Sequence, residues 1–183
     1  MADGIKGSSF KKFSIPLQKG IILHRAIDTF TDAHPIVRQS TKRLHSKYHH
    51  YSGIIVDILY DHFLAKNWSI YCEIPLAEFA TDFYTLLKEN QQKLTPPIQN
   101  MMPYMIADNW LLSYAQIEGI ATVLRNMDRR TQHKSGMKNA IEDLKTYYSK
   151  FEAEFTLFFT DLQRFSAERL EEIHLQYDSE NGH

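Results

Sequence analysis

The sequence predicts an all-α fold, a multi-helix bundle with a long C-terminal helix, and three observations carry that prediction. Glycine and proline are sparse, 7 and 6 in 183 residues, and strict alternation of apolar and polar residues is almost absent, unlike the texture of a β-sandwich or barrel. Apolar residues recur instead at spacings of three and four. From Met137 onward the series Met137, Ile141, Leu144, Tyr148, Phe151, Phe155, Phe158, Leu162 and Phe165 forms a heptad seam.

Each element can be placed in order. Residues 1–13 combine Gly4, Gly7, Ser8 and Ser9 with Lys6, Lys11 and Lys12, the makeup of a flexible or ligand-contacting lead-in. Ser14 suits the N-cap of a first helix that tolerates Pro16 in its first turn and reaches about Thr31. Pro35 opens a second helix over 35–48, and a third covers 52–68. A fourth starts at Pro75 and carries Leu76, Phe79, Phe83 and Leu86 at helical spacing. Pro96, Pro97 and Pro103 predict an irregular stretch. Asp108 then caps a short helix through Trp110, Leu111 and Tyr114, and Gly119 divides it from another reaching Arg130. No Gly or Pro interrupts 137–181, which allows one helix ~60 Å long that must bend, break or project: either it packs as the last helix of the bundle, kinked near Ser166, or part of it pairs with a second copy as a homodimer.

Hydrophobic residues make up 43% and charged residues 23%, ordinary globular proportions that exclude disorder. At about 150 residues per domain the chain is one domain over 1–183. A net charge of -1 removes the basic bias of a dedicated nucleic-acid binder. Cys72 stands alone and reads as a buried thiol, and no apolar run approaches the ~20 residues that span a bilayer. Without the apolar core of a signal peptide at its start, the chain is expected in the cytoplasm.

Polar residues on two helices suggest chemistry. His24 and Asp28 lie one turn apart on the flank of the first helix's apolar stripe, with Asp32 a turn further, and an imidazole and a carboxylate so spaced can chelate a cation. On the third helix Ile54, Ile58 and Ala65 define an apolar line. His62 falls inside it, with Asp61 on its edge and Asp57 just beyond. Buried imidazole and carboxylate groups need a metal or hydrogen-bond partners, and residue types leave both open. Arg129 and Arg130, beside Arg125, form a basic cluster that suits a helix C-terminus and can also clamp a phosphate. Trp68 and Trp110 read as core. Neither a G-x-S-x-G elbow nor a P-loop is present, which disfavours serine-hydrolase and P-loop chemistry.

The strings Met1-Ala2-Asp3-Gly4-Ile5-Lys6-Gly7, Leu23-His24-Arg25-Ala26-Ile27-Asp28-Thr29-Phe30-Thr31-Asp32-Ala33-His34-Pro35 and Asp57-Ile58-Leu59-Tyr60-Asp61-His62-Phe63-Leu64-Ala65 resemble the acyl carrier protein phosphodiesterase family. The likeness continues through Asn109-Trp110-Leu111 and Asn126-Met127-Asp128-Arg129-Arg130. Family members usually carry an Asn-Phe-x-Ala-His-type segment and a Gly-Asn pair ahead of the match to Ala2-Asp3, so the chain is expected to start inside that pattern.

The resemblance implies a helical enzyme, distantly similar to HD-type metal phosphohydrolases. Such an enzyme uses Mn²⁺, with Mg²⁺ as alternative, to remove 4′-phosphopantetheine from holo acyl carrier protein and leave the apo form. Carried over by position, the implied ligands are His24, Asp28, Asp61 and His62, with Asp3 a further candidate. Asp57 or Asp32 would orient the attacking water, and Arg129 or Arg130 would hold phosphate oxygens. Lys6, Lys11, Lys12, Lys19 and Arg25 would receive the acidic carrier. Two other readings stand beside it: a generic HD-like phosphohydrolase acting on a nucleotide, and a helical interaction module without catalysis.

Overall fold

The computed structural model describes residues 7–181, with side chains through residue 179. Among the described residues every regular element is helical: α1 (Ile15–Ala33), α2 (Pro35–Tyr48), α3 (Ser52–Lys66), α4 (Trp68–Tyr71), α5 (Leu76–Glu89), α6 (Pro96–Ala107), α7 (Trp110–Ser113), α8 (Ile117–Arg130), α9 (Ala140–Thr146) and α10 (Tyr148–Asn181). None of these helices is long and apolar enough to cross a membrane. The contacts divide the chain into two compact units, one holding residues up to Arg38 and from Thr156, the other Gln39–Phe155.

The first unit is built on α1 and the later part of α10. They run antiparallel, since the Tyr177 hydroxyl donates to Gln18 Oε1 at 2.9 Å while Phe30 stacks on Phe165 with centroids 4.3 Å apart. Ile21, Phe158 and Ile173 are buried between them, with Val37 from the start of α2. The extended backbone of Ser14 caps α1, as predicted, but its hydroxyl makes no capping bond. The Gln18 amide instead donates to Phe13 O at 2.7 Å and to Lys11 O at 3.1 Å. α1 stops where it does because His34 precedes Pro35 and is held extended at φ -67, ψ 129.

The described part of the lead-in is ordered against α1. Gly7–Lys12 is a 3-10 turn fastened to α1, because the Arg25 guanidinium donates to Gly7 O at 3.0 Å and lies over the Phe10 ring.

The second unit surrounds α3. Ile55, Val56, Ile58, Leu59, Tyr60, His62 and Phe63 are all buried, so this helix is enclosed on most sides. The expected line through Ile54 and Ala65 is therefore too narrow: Ile54 is 40% exposed. Ile120 and Leu124 of α8, Leu44 of α2, Met137, Leu144 and Phe151 complete the core. The heptad seam is covered from within the chain, Phe155 meeting Tyr60 and Phe63 in this unit and Phe158 meeting His34 in the other.

Four sequence expectations are corrected here. The proline-rich stretch is α6, because Pro96 and Pro97 occupy the first turn, where no N–H partner is required, and Pro103 is accommodated within the helix. Asp108 ends α6, and Asn109 opens α7 from a left-handed conformation at φ 44, ψ 60. Gly119 does not divide helices. It lies in the first turn of α8, where a Cβ would collide with the carbonyl of Ser113, so the α7–α8 corner can close only over glycine. The C-terminal run is interrupted at Tyr147, between α9 and α10, and not near Ser166, and α10 is the long C-terminal helix expected.

Three buried carboxylates tie the second unit together. Glu154 of α10 takes both guanidinium nitrogens of Arg43, at 2.5 and 2.6 Å, with Ser40 and Gln39 completing its shell. Asp143 of α9 takes the Lys47 ammonium and, at 2.6 Å, the Tyr48 hydroxyl, which fastens the end of α2 to α9. Asp128 of α8 accepts from His133 at 2.7 Å and Ser135 at 3.0 Å, and holds the loop in which Gln132 and His133 have positive φ.

Burial pushes the Glu154 carboxyl up, but the bonds from Arg43 and Ser40 outweigh it and hold the group below its ordinary value. A depressed carboxylate contributes stability above its unfolded pKa and loses it as pH falls through the folded one. Glu154→Gln should therefore lower the unfolding free energy by about 2–4 kcal/mol at neutral pH. The gap to the unaltered protein should close as the pH falls below the ordinary glutamate range and through the depressed folded value, as urea unfolding at several pH values will measure. Gly119→Ala should cost about 1–3 kcal/mol through the forced opening of its corner, read as a lower melting temperature.

Candidate active site

Asp61 lies at the edge of a cleft of about 400 Å³ in the second unit. α3 contributes Asp61, Leu64 and Ala65; α5 contributes Leu76 and Phe79; α6 contributes Met101 and Met105; α7 contributes Trp110 and Leu111. Trp68 and Tyr114 complete the lining, so the two tryptophans are half-buried cleft walls and not core. Trp68 is set by its indole N–H, which donates to Ile74 O at 2.7 Å, and by Phe79 at 4.8 Å. The Tyr84 hydroxyl sets the opposite wall, donating to Asn109 Oδ1 and accepting from the Leu111 N–H at 2.9 Å.

The Asp61 carboxyl is open to solvent through the cleft, yet protein crowds it closely. Burial, reinforced by the charge of Asp57, pushes it up to about 7. Asp57, one turn earlier on α3, is also exposed. Two carboxylates at this spacing offer hard oxygen donors, the set that Mg²⁺ or Mn²⁺ uses together with waters and substrate phosphates. Their mutual repulsion is the electrostatic strain that a cation relieves, and on that ground the pair fits a divalent ion.

Other expected site residues are placed differently. His62 is 1% exposed and both ring nitrogens are engaged: Nδ1 donates to Tyr114 O at 2.8 Å, and Nε2 accepts from the Tyr148 hydroxyl at 2.9 Å. Burial lowers its pKa and keeps it neutral. The inward direction predicted for His62 is correct, but no nitrogen remains for a cation, so the expected ligand is a buried hydrogen-bonded histidine.

In the first unit His24 Nδ1 and Asp28 Oδ2 are 2.8 Å apart on an exposed face, bonded to each other. Asp32 is exposed one turn on. No three His, Cys, Asp or Glu side chains are gathered to hold a metal among the described residues. Asp3 and Lys6 lie outside the described residues. Arg25 is engaged with Gly7 and Phe10, and Lys19 leans over Tyr177 toward Asp178, whereas Lys11 and Lys12 are exposed. Cys72 is half-buried rather than buried.

Arg129 and Arg130, at the end of α8, line an open cavity of about 620 Å³ with Asn126 and Trp110. A further cavity of about 450 Å³ joins Arg130 to Ser113, Tyr114, Thr122 and Asn126. Trp110 lines all three spaces, so the guanidinium groups and the Asp61 cleft share a wall. The chemistry-bearing residues that sequence reasoning missed are Tyr84, Tyr114 and Tyr148. Each acts through a hydroxyl or carbonyl aimed by tertiary contacts that no local spacing announces.

A histidine held by two hydrogen bonds has a definite signature. His62→Ala should cost roughly 1–4 kcal/mol of stability by leaving a cavity and unsatisfied partners. It should leave intact any rise in melting temperature that Mn²⁺ gives the unaltered protein, and paired thermal melts will read both.

The family model described as acyl carrier protein phosphodiesterase matches residues 1–162. A protein of that name from Photorhabdus laumondii is 30% identical over 160 residues, covering 87% of this chain and 81% of the relative. Its namesake from Pectobacterium atrosepticum is 29% identical, covering 87% and 83%. One from Escherichia coli O157:H7 is 29% identical over 164 residues, with the same coverage. No solved structure matches the chain. A match running through both compact units, from residue 1 to residue 162, cannot be a shared fragment, and the chain belongs to the acyl carrier protein phosphodiesterase family.

Proposed function

We propose that the chain is a metal-dependent phosphodiesterase that cleaves 4′-phosphopantetheine from holo acyl carrier protein, leaving the apo carrier. The observation that carries this reading is the family match over residues 1–162, with relatives that bear the name of that activity. Asp57 and Asp61 would hold Mn²⁺ or Mg²⁺, which when bound lowers the pKa of a coordinated water and offsets phosphodiester charge. Arg129 and Arg130 hold the non-bridging phosphate oxygens, a role suited to exposed guanidinium groups on a wall shared with Asp61. Arg129 is already oriented by its 2.8 Å bond to Asn126 Oδ1. Hydrolysis releases the carrier's serine as leaving group, and the arm's phosphate keeps the new oxygen. Lys11 and Lys12, with Ile15 and Leu17 exposed beside them at 44% and 39%, give the near-neutral chain a local basic and apolar face for an acidic carrier.

Mass spectrometry of holo carrier after incubation with the protein and Mn²⁺ or Mg²⁺ should record loss of the phosphopantetheine mass, and an unchanged carrier would sink the reading. Asp61→Asn should reduce that activity by at least about 100-fold and remove the Mn²⁺-induced rise in melting temperature, because a cation bound only by the native state stabilises it by mass action. Reversing Lys11 and Lys12 to Glu should raise KM for the carrier and flatten its salt dependence. Turnover of a small phosphodiester should stay unchanged.

A further inference from the structure

Phosphodiester hydrolysis uses the carboxyl edge of the Asp61 cleft and leaves its body unexplained. Phosphopantetheine is polar along its length, with amides, a hydroxyl and a phosphate, whereas the lining of the cleft beyond Asp61 is almost wholly hydrocarbon, thioether and aromatic ring. We propose that the cleft receives the fatty acyl chain carried as a thioester on the pantetheine arm, so that acylated carriers are substrates whose chain length is read there. This deepens the phosphodiesterase reading and rests on it.

Four observations favour that occupant. The volume, about 400 Å³, falls in the range of pockets that enclose a small ligand. Met101 and Met105 form one wall, and flexible thioethers adapt to chains of different length. Among the described residues Asp61 is the one charged group of the lining and no cation lines the cleft, so a free fatty acid would bring its carboxylate to a site without a partner. A thioester-linked chain is neutral and avoids that cost. Finally, Trp110 and Tyr114 separate the cleft from a cavity lined by Ser113, Thr122, Asn126 and Arg130. Polar and charged groups thus face the arm on one side of the partition, and apolar groups face the chain on the other.

The chain has two tryptophans, Trp68 and Trp110, and both line the cleft, so intrinsic fluorescence reports its filling without any turnover. Pantetheine, S-butyryl-pantetheine, S-octanoyl-pantetheine and free octanoate are the probes. Affinity should rise about fourfold per methylene along the acyl series, the increment that hydrocarbon burial gives, until the cleft is full. Pantetheine and octanoate should leave the emission nearly unchanged. Ala65→Phe, which fills the cleft from α3, should weaken octanoyl-pantetheine at least tenfold with an unchanged circular dichroism spectrum. Met105→Phe is a second filling variant should the first misfold, and the unaltered protein's chain-length series decides by itself if both do. Equal affinity for pantetheine and octanoyl-pantetheine would overturn the inference, as would octanoate binding as tightly as the thioester. Hydrolysis of the unacylated carrier, followed separately by mass, keeps failure of the phosphodiesterase reading distinct from failure of this one.

Discussion

Both ring nitrogens of His62 are committed to protein oxygens, and the second unit is arranged around that commitment. α3 is enclosed on most sides, so a polar ring at its centre has no water to turn to and must find partners on neighbouring segments. Nδ1–H donates to the carbonyl of Tyr114 and Nε2 accepts the hydroxyl of Tyr148. The Lys66 ammonium lies over the Tyr148 ring, 4.8 Å from its centroid, and is held at 2.9 Å by Glu152. The direction of donation is consistent from the Tyr148 hydroxyl through the His62 ring to the Tyr114 carbonyl, which suits cooperative strengthening in a low-dielectric interior. Because Trp110 and Tyr114 bracket α7 and both line the cleft, the same bond that satisfies His62 also fixes a wall of the cleft.

Carboxylates are treated in two opposite ways. Glu154, Asp143 and Asp128 are buried, and each is matched by donors: the Arg43 guanidinium, the Lys47 ammonium with the Tyr48 hydroxyl, and the His133 ring with the Ser135 hydroxyl. For Asp128, burial raises the carboxyl, but His133 and Ser135 together hold it below its ordinary value. Such groups are structural, since a missing partner would leave a charge uncompensated. Asp61 is set against Asp57, a like charge, inside an apolar cleft. Asp61 thus differs from the three buried carboxylates: a like charge one turn away and an apolar cleft, not a cation, set its state.

Helical class was legible because it depends on local periodicity, and so were α3 and, with starts that follow from Ser14, Pro35 and Pro75, α1, α2 and α5. The prolines of α6 and Gly119 misled for one reason. Each residue carries a local preference, but its use depends on what packs against it, and Gly119 serves a close approach of Ser113 that lies outside any window of sequence. The break at Tyr147 was invisible because neither glycine nor proline marks it.

By itself the sequence determined the all-α class, the inward aim of His62, the exposure of Lys11 and Lys12 and the family to which the chain belongs, since periodicity, charge and motif spacing are written along the chain. Tertiary structure decided what those residues do. Arg25 had the chemistry of a carrier-binding cation and is engaged with Gly7 and Phe10, and His62 had the chemistry of a ligand and is a hydrogen-bonded strut. Trp68 and Trp110 had the chemistry of core and became walls. Residue type sets which interactions a side chain can make, but partners distant in sequence compete for each donor and acceptor, and only the folded chain settles which partner wins.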